Sequence, residues 1–136
     1  MSAEHIPSLL VVEDNRPNRI LMETLLAGLG CAVTLAAGGA EALGAAAERR
    51  FDLILMDIEM PGMGGVETLA RLRARSTFNA ATPVVALTGH ADDSRHRAFL
   101  AAGFVCVLVK PVSPRSLAST INDCLRGRAD CGAAAS

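Results

Sequence analysis

The 136 residues make one domain of ordinary size, long enough to cover a central sheet on both faces and too short for a second catalytic or DNA-binding domain. With 13 basic and 14 acidic residues there is no broad positive surface for nucleic acid, and without Trp or Tyr and with only four Phe there is no base-stacking platform. The first seven residues lack a basic start and a long apolar stretch, and no apolar run approaches a membrane span, so a cytoplasmic domain without membrane contact is expected.

Apolar runs alternate with helical patterns five times, the signature of a parallel sheet wrapped by helices. The first strand is Leu9 to Val12. The first helix has Pro17 in its opening turn, an apolar stripe at Met22, Leu25, Leu26 and Leu29, and Gly30 as its stop. Cys31 to Leu35 is the second strand, after which Gly38 and Gly39 turn the chain into an alanine-rich helix ending near Arg50. Leu53 to Met56 is the third strand, a continuous apolar run of the kind buried on both faces. Gly64 and Gly65 lead into a third helix whose Val66, Leu69 and Ala70 share a face, and Ser76 to Asn79 is polar loop. Pro83 to Leu87 is the fourth strand. Asp92 or Asp93 caps a fourth helix that buries Ala98, Phe99 and Ala102 and stops at Gly103. Phe104 to Val109 is the fifth strand, and Ser113 with Pro114 starts a last helix striped by Leu117, Ile121 and Leu125. The domain is expected over 8–127, between flexible segments at 1–7 and 128–136.

Cys31, Cys106, Cys124 and Cys131 lack the paired spacing of zinc or redox motifs and read as reduced thiols. His5 and His96 have no partner pattern and read as exposed.

The chemistry-bearing residues fall at carboxyl ends of strands, where open α/β sheets bind ligands: Glu13 and Asp14 after the first, Asp57 after the third, Thr88 after the fourth, Lys110 after the fifth. Right-handed crossovers with one reversal give an α/β doubly wound (βα)5, flavodoxin-like fold with strand order 2-1-3-4-5, which brings Asp14 beside Asp57. Carboxylates about 4 Å apart repel by roughly 4 kcal/mol at an effective dielectric of 20, and a divalent cation relieves that repulsion. All-oxygen donors in an incomplete shell suit Mg²⁺ better than Ca²⁺. Thr88 offers a hydroxyl donor and Lys110 a compact positive charge, the groups wanted by a phosphoryl unit carried on a nucleophilic Asp57. Singly, each of these residues is an ordinary cap, turn or solvated charge; it is their joint placement that points to phosphoryl transfer.

With Leu10-Val11-Val12-Glu13-Asp14-Asn15, Leu55-Met56-Asp57 followed by Met60-Pro61, Ala86-Leu87-Thr88 and Lys110-Pro111, the chain resembles a response regulator receiver domain of two-component signalling over about Ser8 to Arg126. The resemblance implies that Asp57 takes a phosphoryl group from the phosphohistidine of a histidine kinase or histidine phosphotransfer domain and slowly hydrolyses it. It implies Mg²⁺ held by Asp14 and Asp57, by Glu13 through water and by the Glu59 carbonyl, and a cis peptide before Pro111. Asn15, Asn18, Arg19 and the Leu87 to Ala91 stretch look most like receivers of hybrid histidine kinases or phosphorelays. Such a domain, monomer or weak dimer, is no enzyme beyond its own phosphorylation and dephosphorylation. The competing reading is a phosphorylation-independent interaction module on the same fold. A haloacid-dehalogenase-like phosphatase would want a second Asp where position 16 is Arg, and a flavodoxin-like flavin binder would want a Ser/Thr/Gly-rich loop in place of Asp14-Asn15-Arg16-Pro17.

Some positions depart from the family pattern. Val107 stands where an aromatic normally precedes the lysine by three, so output through the surface of the fourth helix, fifth strand and fifth helix is expected to be weak, with docking on the first helix and the active-site loops in its place. Gly64 and Gly89 replace a customary acid and alanine and loosen their loops. Glu59 and His90 flank the expected phosphoryl group, either as solvated side chains or as modulators of water access and phosphoryl lifetime.

Overall fold

The computed structural model describes residues 5–75 and 78–127. Ser76, Thr77, Cys131 and the remainder of the expected tail lie outside the described residues. In chain order the elements are β1 (Ser8–Val12), α1 (Arg16–Gly28), β2 (Ala32–Ala36), α2 (Gly39–Glu48), β3 (Leu53–Asp57), α3 (Gly65–Arg75), β4 (Val84–Thr88), α4 (Asp93–Ala102), β5 (Cys106–Val109) and α5 (Pro114–Leu125). The strands form one parallel sheet ordered β2-β1-β3-β4-β5, as the crossover rules predict.

Strand periodicity divides the core into two layers. Leu10, Val12, Ile54, Met56, Val84, Ala86 and Val107 face one side, where Ala42 and Ala46 of α2 and Leu69 and Leu72 of α3 cover them. Their strand neighbours Leu9, Val11, Leu53, Leu55, Val85, Leu87, Cys106 and Leu108 face Met22 and Leu26 of α1 and Leu117, Ile121 and Cys124 of α5. β1, β3 and β4 are therefore apolar at consecutive positions because both faces are covered.

The helix ends follow local chemistry. The side chains of Asn15, Asp92 and Ser113 accept hydrogen bonds from the backbone N–H groups of Asn18, Arg95 and Ser116, so Asp92, rather than Asp93, caps α4. Gly103 ends α4 at φ 116°, a left-handed conformation that suits glycine.

The inward helix faces differ from the periodicity in places. In α3 the buried set is Gly65, Thr68, Leu69 and Leu72, whereas Val66 and Ala70 are exposed. Close approach of Gly65 to the Asp57 carbonyl turns the helix this way: a Cβ there would lie 2.5 Å from that oxygen. α4 buries no residue; Ala98 and Ala102 are exposed, and Phe99 is half-buried edge-on against Phe104, with ring centroids 6.4 Å apart. Leu29 and Leu125, expected in the stripes of α1 and α5, are exposed, and Cys124 takes the inward position in α5. Phe104 precedes β5, its N–H bonded to the Phe99 carbonyl at the end of α4.

The polar stretch before β4 contains a buried anchor that composition alone misses. Asn79 accepts from the Phe51 N–H at 2.8 Å and donates to the Ala46 and Arg49 carbonyls, each at 2.8 Å, tying the end of α2 to the start of β3. Thr82 closes the cluster by donating to the Phe51 carbonyl. His5 also has a partner, Asp52 Oδ2 at 3.2 Å, and the His96 ring lies 2.8 Å from the His90 carbonyl.

Candidate functional site

β1 delivers Glu13 and Asp14 to the carboxyl edge of the sheet, where the Glu13 N–H bonds to the Ala36 carbonyl of β2. The turn into α1 is held from two directions. Asn15 donates its N–H to Glu13 Oε2 at 3.2 Å, and Arg19, one turn into α1, donates to the Glu13 and Asp14 carbonyls at 2.9 and 3.1 Å. β3 pairs with β1 on one side and β4 on the other, which sets Asp57 between the acidic turn and Leu87-Thr88.

Glu13, Asp14 and Asp57 offer carboxylate oxygens that all lie within 4.8 Å of one another; Glu13 and Asp57 are buried and Asp14 is exposed. Lys110 reaches in from the end of β5, its backbone N–H on the Thr88 carbonyl at 2.8 Å and its Nζ 3.0 Å from Asp57 Oδ1 and 3.1 Å from Glu13 Oε1. The Lys110–Pro111 peptide is cis. One ammonium thus faces three carboxylates, and each close like-charge pair costs ~3 kcal/mol at an effective dielectric of 20.

The titration of the cluster reflects that excess. Burial, reinforced by the neighbouring Glu13 charge and opposed by Lys110, pushes the Asp57 carboxyl up to about 7. Burial acts to lower the Lys110 pKa, but its hydrogen bonds and charge interactions with Asp57 and Glu13 outweigh this and hold it above the usual lysine value. Asp57 Oδ1 is buried, and the group facing it is the Lys110 ammonium at 3.0 Å. Three carboxylates converging within 4.8 Å around one ammonium are the donor set of a hard divalent cation.

Thr88, wholly buried at the end of β4, donates its hydroxyl to Glu59 Oε2 at 3.0 Å and accepts from the His90 N–H at 3.1 Å. Glu59 Oε1 lies 3.4 Å from the Gly89 nitrogen, and the His90 ring lies 3.8 Å from Glu59 Oε2. Glu59 and His90 are therefore partners of each other and of Thr88. Val107 lies on the β5 face below α4, and Pro111 is exposed beside the site. A groove of about 250 Å³ runs alongside, lined by Leu21, Met22 and Leu25 of α1 and by Lys110, Pro111 and Val112.

The structure brings together every residue expected from the strand ends. Sequence reasoning missed three contacts: the direct Glu13–Lys110 ion pair, the hold of Arg19 on the acidic turn, and the Glu59–Thr88 bond. The last depends on the register of β3 with β4, which pairs Asp57 with Leu87 and so brings the loop after Asp57 to Thr88.

The sequence matches the family described as "Response regulator receiver domain" over residues 9–122. Sensor protein GacS of Pseudomonas syringae pv. syringae is 39% identical over 117 residues, 85% of this chain and 13% of that protein. Sensor histidine kinase AruS of Pseudomonas aeruginosa is 41% identical over 105 residues, 76% of this chain and 10% of that protein. The chain thus spans only a small part of these curated relatives. Among solved structures, the receiver domain of a sensor histidine kinase from Pseudomonas aeruginosa PAO1, described with a magnesium ion coordinated in its active-site cleft, superposes with a TM-score of 0.81 at 32% identity, covering 89% of this chain and 98% of that one. Vibrio cholerae chemotaxis response regulator CheY4 gives a TM-score of 0.82 at 32% identity, covering 88% and 98%. Among the described residues, no helix is long and apolar enough to cross a membrane.

Proposed function

The chain belongs to the response regulator receiver domain family, and from that membership we propose that Asp57 is a phosphoacceptor for the phosphohistidine of a histidine kinase or histidine phosphotransfer domain. The observation that carries this reading is the buried Asp57 with the Lys110 ammonium 3.0 Å away and two further carboxylates beside it. An Asp57 oxygen forms the new P–O bond as the P–N bond breaks, and the electron pair returns to the imidazole nitrogen. Lys110 stabilises charge on the phosphoryl oxygens, and Thr88 donates its hydroxyl to one of them. Hydrolysis reverses the capture: water attacks phosphorus, and inorganic phosphate leaves with the carboxylate restored.

Mg²⁺, held by Asp14, Asp57, the Glu59 carbonyl and Glu13 through water, would offset the surplus negative charge of the site and of the arriving phosphoryl group. The groove between α1 and the Lys110-Pro111-Val112 segment gives a donor protein an apolar foothold beside Asp57, with Leu21 54% exposed at its edge. We place the domain in the cytoplasm with its donor, in a hybrid kinase or phosphorelay, without enzymatic turnover beyond its own phosphorylation cycle.

Incubation with acetyl phosphate and Mg²⁺ should add one acid-labile phosphate, visible by intact mass, and Asp57→Asn should abolish it. A wild-type domain that takes up no phosphate would instead support a module signalling by binding alone.

A further inference from the structure

Thr88 carries one hydroxyl hydrogen and Gly89 one amide hydrogen, so each serves one strong acceptor at a time. Both are directed at the Glu59 carboxylate, Thr88 Oγ1 at 3.0 Å from Oε2 and the Gly89 nitrogen at 3.4 Å from Oε1. The direction of the hydroxyl is set from behind: the His90 N–H donates into Thr88 Oγ1 at 3.1 Å, which leaves the hydroxyl hydrogen to point at Glu59. The His90 ring, 3.8 Å from Oε2, braces the same oxygen. Glu59 is nearly half exposed, yet three groups of the β4–α4 segment, the Thr88 hydroxyl, the Gly89 amide and the His90 ring, converge on its carboxylate. A carboxylate and a phosphoryl group present the same kind of acceptor, anionic oxygens that call for the same donors.

We infer that Glu59 is an internal occupant of the phosphoryl-oxygen site: in the unphosphorylated domain its carboxylate holds the Thr88 hydroxyl and the Gly89 amide, and it must leave before a phosphoryl group on Asp57 can use them. The inference rests on the phosphoacceptor reading of Asp57 and adds a resting state that opposes capture. Glu59 acts here as a positioning residue through Thr88, separately from any effect on the lifetime of the phosphoryl group.

The test measures the affinity of the whole domain for beryllofluoride, a phosphoryl mimic, at saturating Mg²⁺, together with the rate of phosphorylation by acetyl phosphate. Both are compared in wild type, Glu59→Ala and Glu59→Gln. Glu59→Ala empties the site and should raise affinity and rate by about tenfold, the range of a hydrogen bond to a charged group. Glu59→Gln keeps an acceptor oxygen for Thr88 without the charge and should stay within about threefold of wild type. Wild-type values in Glu59→Ala would overturn the inference, and so would Gln matching Ala, because that result assigns the effect to charge repulsion instead of occupancy. A wild-type domain that neither binds the mimic nor takes up phosphate would overturn the phosphoacceptor reading itself, and a failure at that level is separable from a null effect of the variants.

Discussion

Asp57 concentrates the electrostatic strain of the site in one side chain. Its carboxyl, raised to about 7 by burial and by the Glu13 charge against the opposition of Lys110, binds a proton in the folded chain over a range where the unfolded chain has released it. Folded-state stability without metal should therefore fall as pH rises from about 4 to about 7. Urea unfolding in chelator should show the wild type losing ~2 kcal/mol between pH 5 and pH 8 relative to Asp57→Asn, which has no such proton to release. A pH dependence identical in both proteins would refute the assignment. At this scale the sequence was most legible, since Glu13, Asp14, Asp57, Thr88 and Lys110 all declare themselves by ending apolar strands. The Glu59–Thr88 bond did not, because an acid two residues beyond a strand has many places to point until the neighbouring strand is in register.

The secondary-structure elements were legible to within a residue or two, the start of β5 at Cys106 instead of Phe104 included. Which helix face turns inward was harder to read, for reasons the glycines of α2 and α3 make concrete. A Cβ at Gly65 would meet the Asp57 carbonyl at 2.5 Å and the Ile58 Cα at 2.9 Å, both backbone atoms. Gly65→Ala should lower stability by about 2 kcal/mol or more and reduce phosphorylation of Asp57, since the β3–α3 turn must shift. Gly44, in the interior of α2 with nothing within 4 Å of a Cβ, provides the contrast: Gly44→Ala should stabilise by about 0.5–1 kcal/mol. Thermal unfolding of the two variants checks both signs. Val66 and Ala70 misled because apolar spacing alone cannot register the backbone approach at Gly65. Asn79 lies in loop as its polar stretch implies, but it is buried and bonded to Phe51, Ala46 and Arg49, which polarity alone does not announce.

For the molecule as a whole, the two-layer core and strand order followed from alternation and crossover handedness, so the fold and the edge that carries the site were legible together. How a change at Asp57 spreads is a separate matter. β5 places Val107 under α4, and α4, which packs on β5 and α3, sets Phe99 edge-on against Phe104. No long side chain at position 107 connects the surroundings of Asp57 with that surface. Amide shift changes on phosphorylation or beryllofluoride binding should concentrate in α1 and the loops after β1, β3 and β4; large changes centred on α4 would contradict this.

The grip of Arg19 on the carbonyls of Glu13 and Asp14 makes α1 a lever as well as a wall. Ile20 and Leu21, the next two residues of the same turn, point apolar surface at solvent. A visiting protein that pressed on those two side chains would pull on the guanidinium and, through it, on the backbone carrying two of the three acids. Any load on that turn would reach the acidic backbone through the guanidinium.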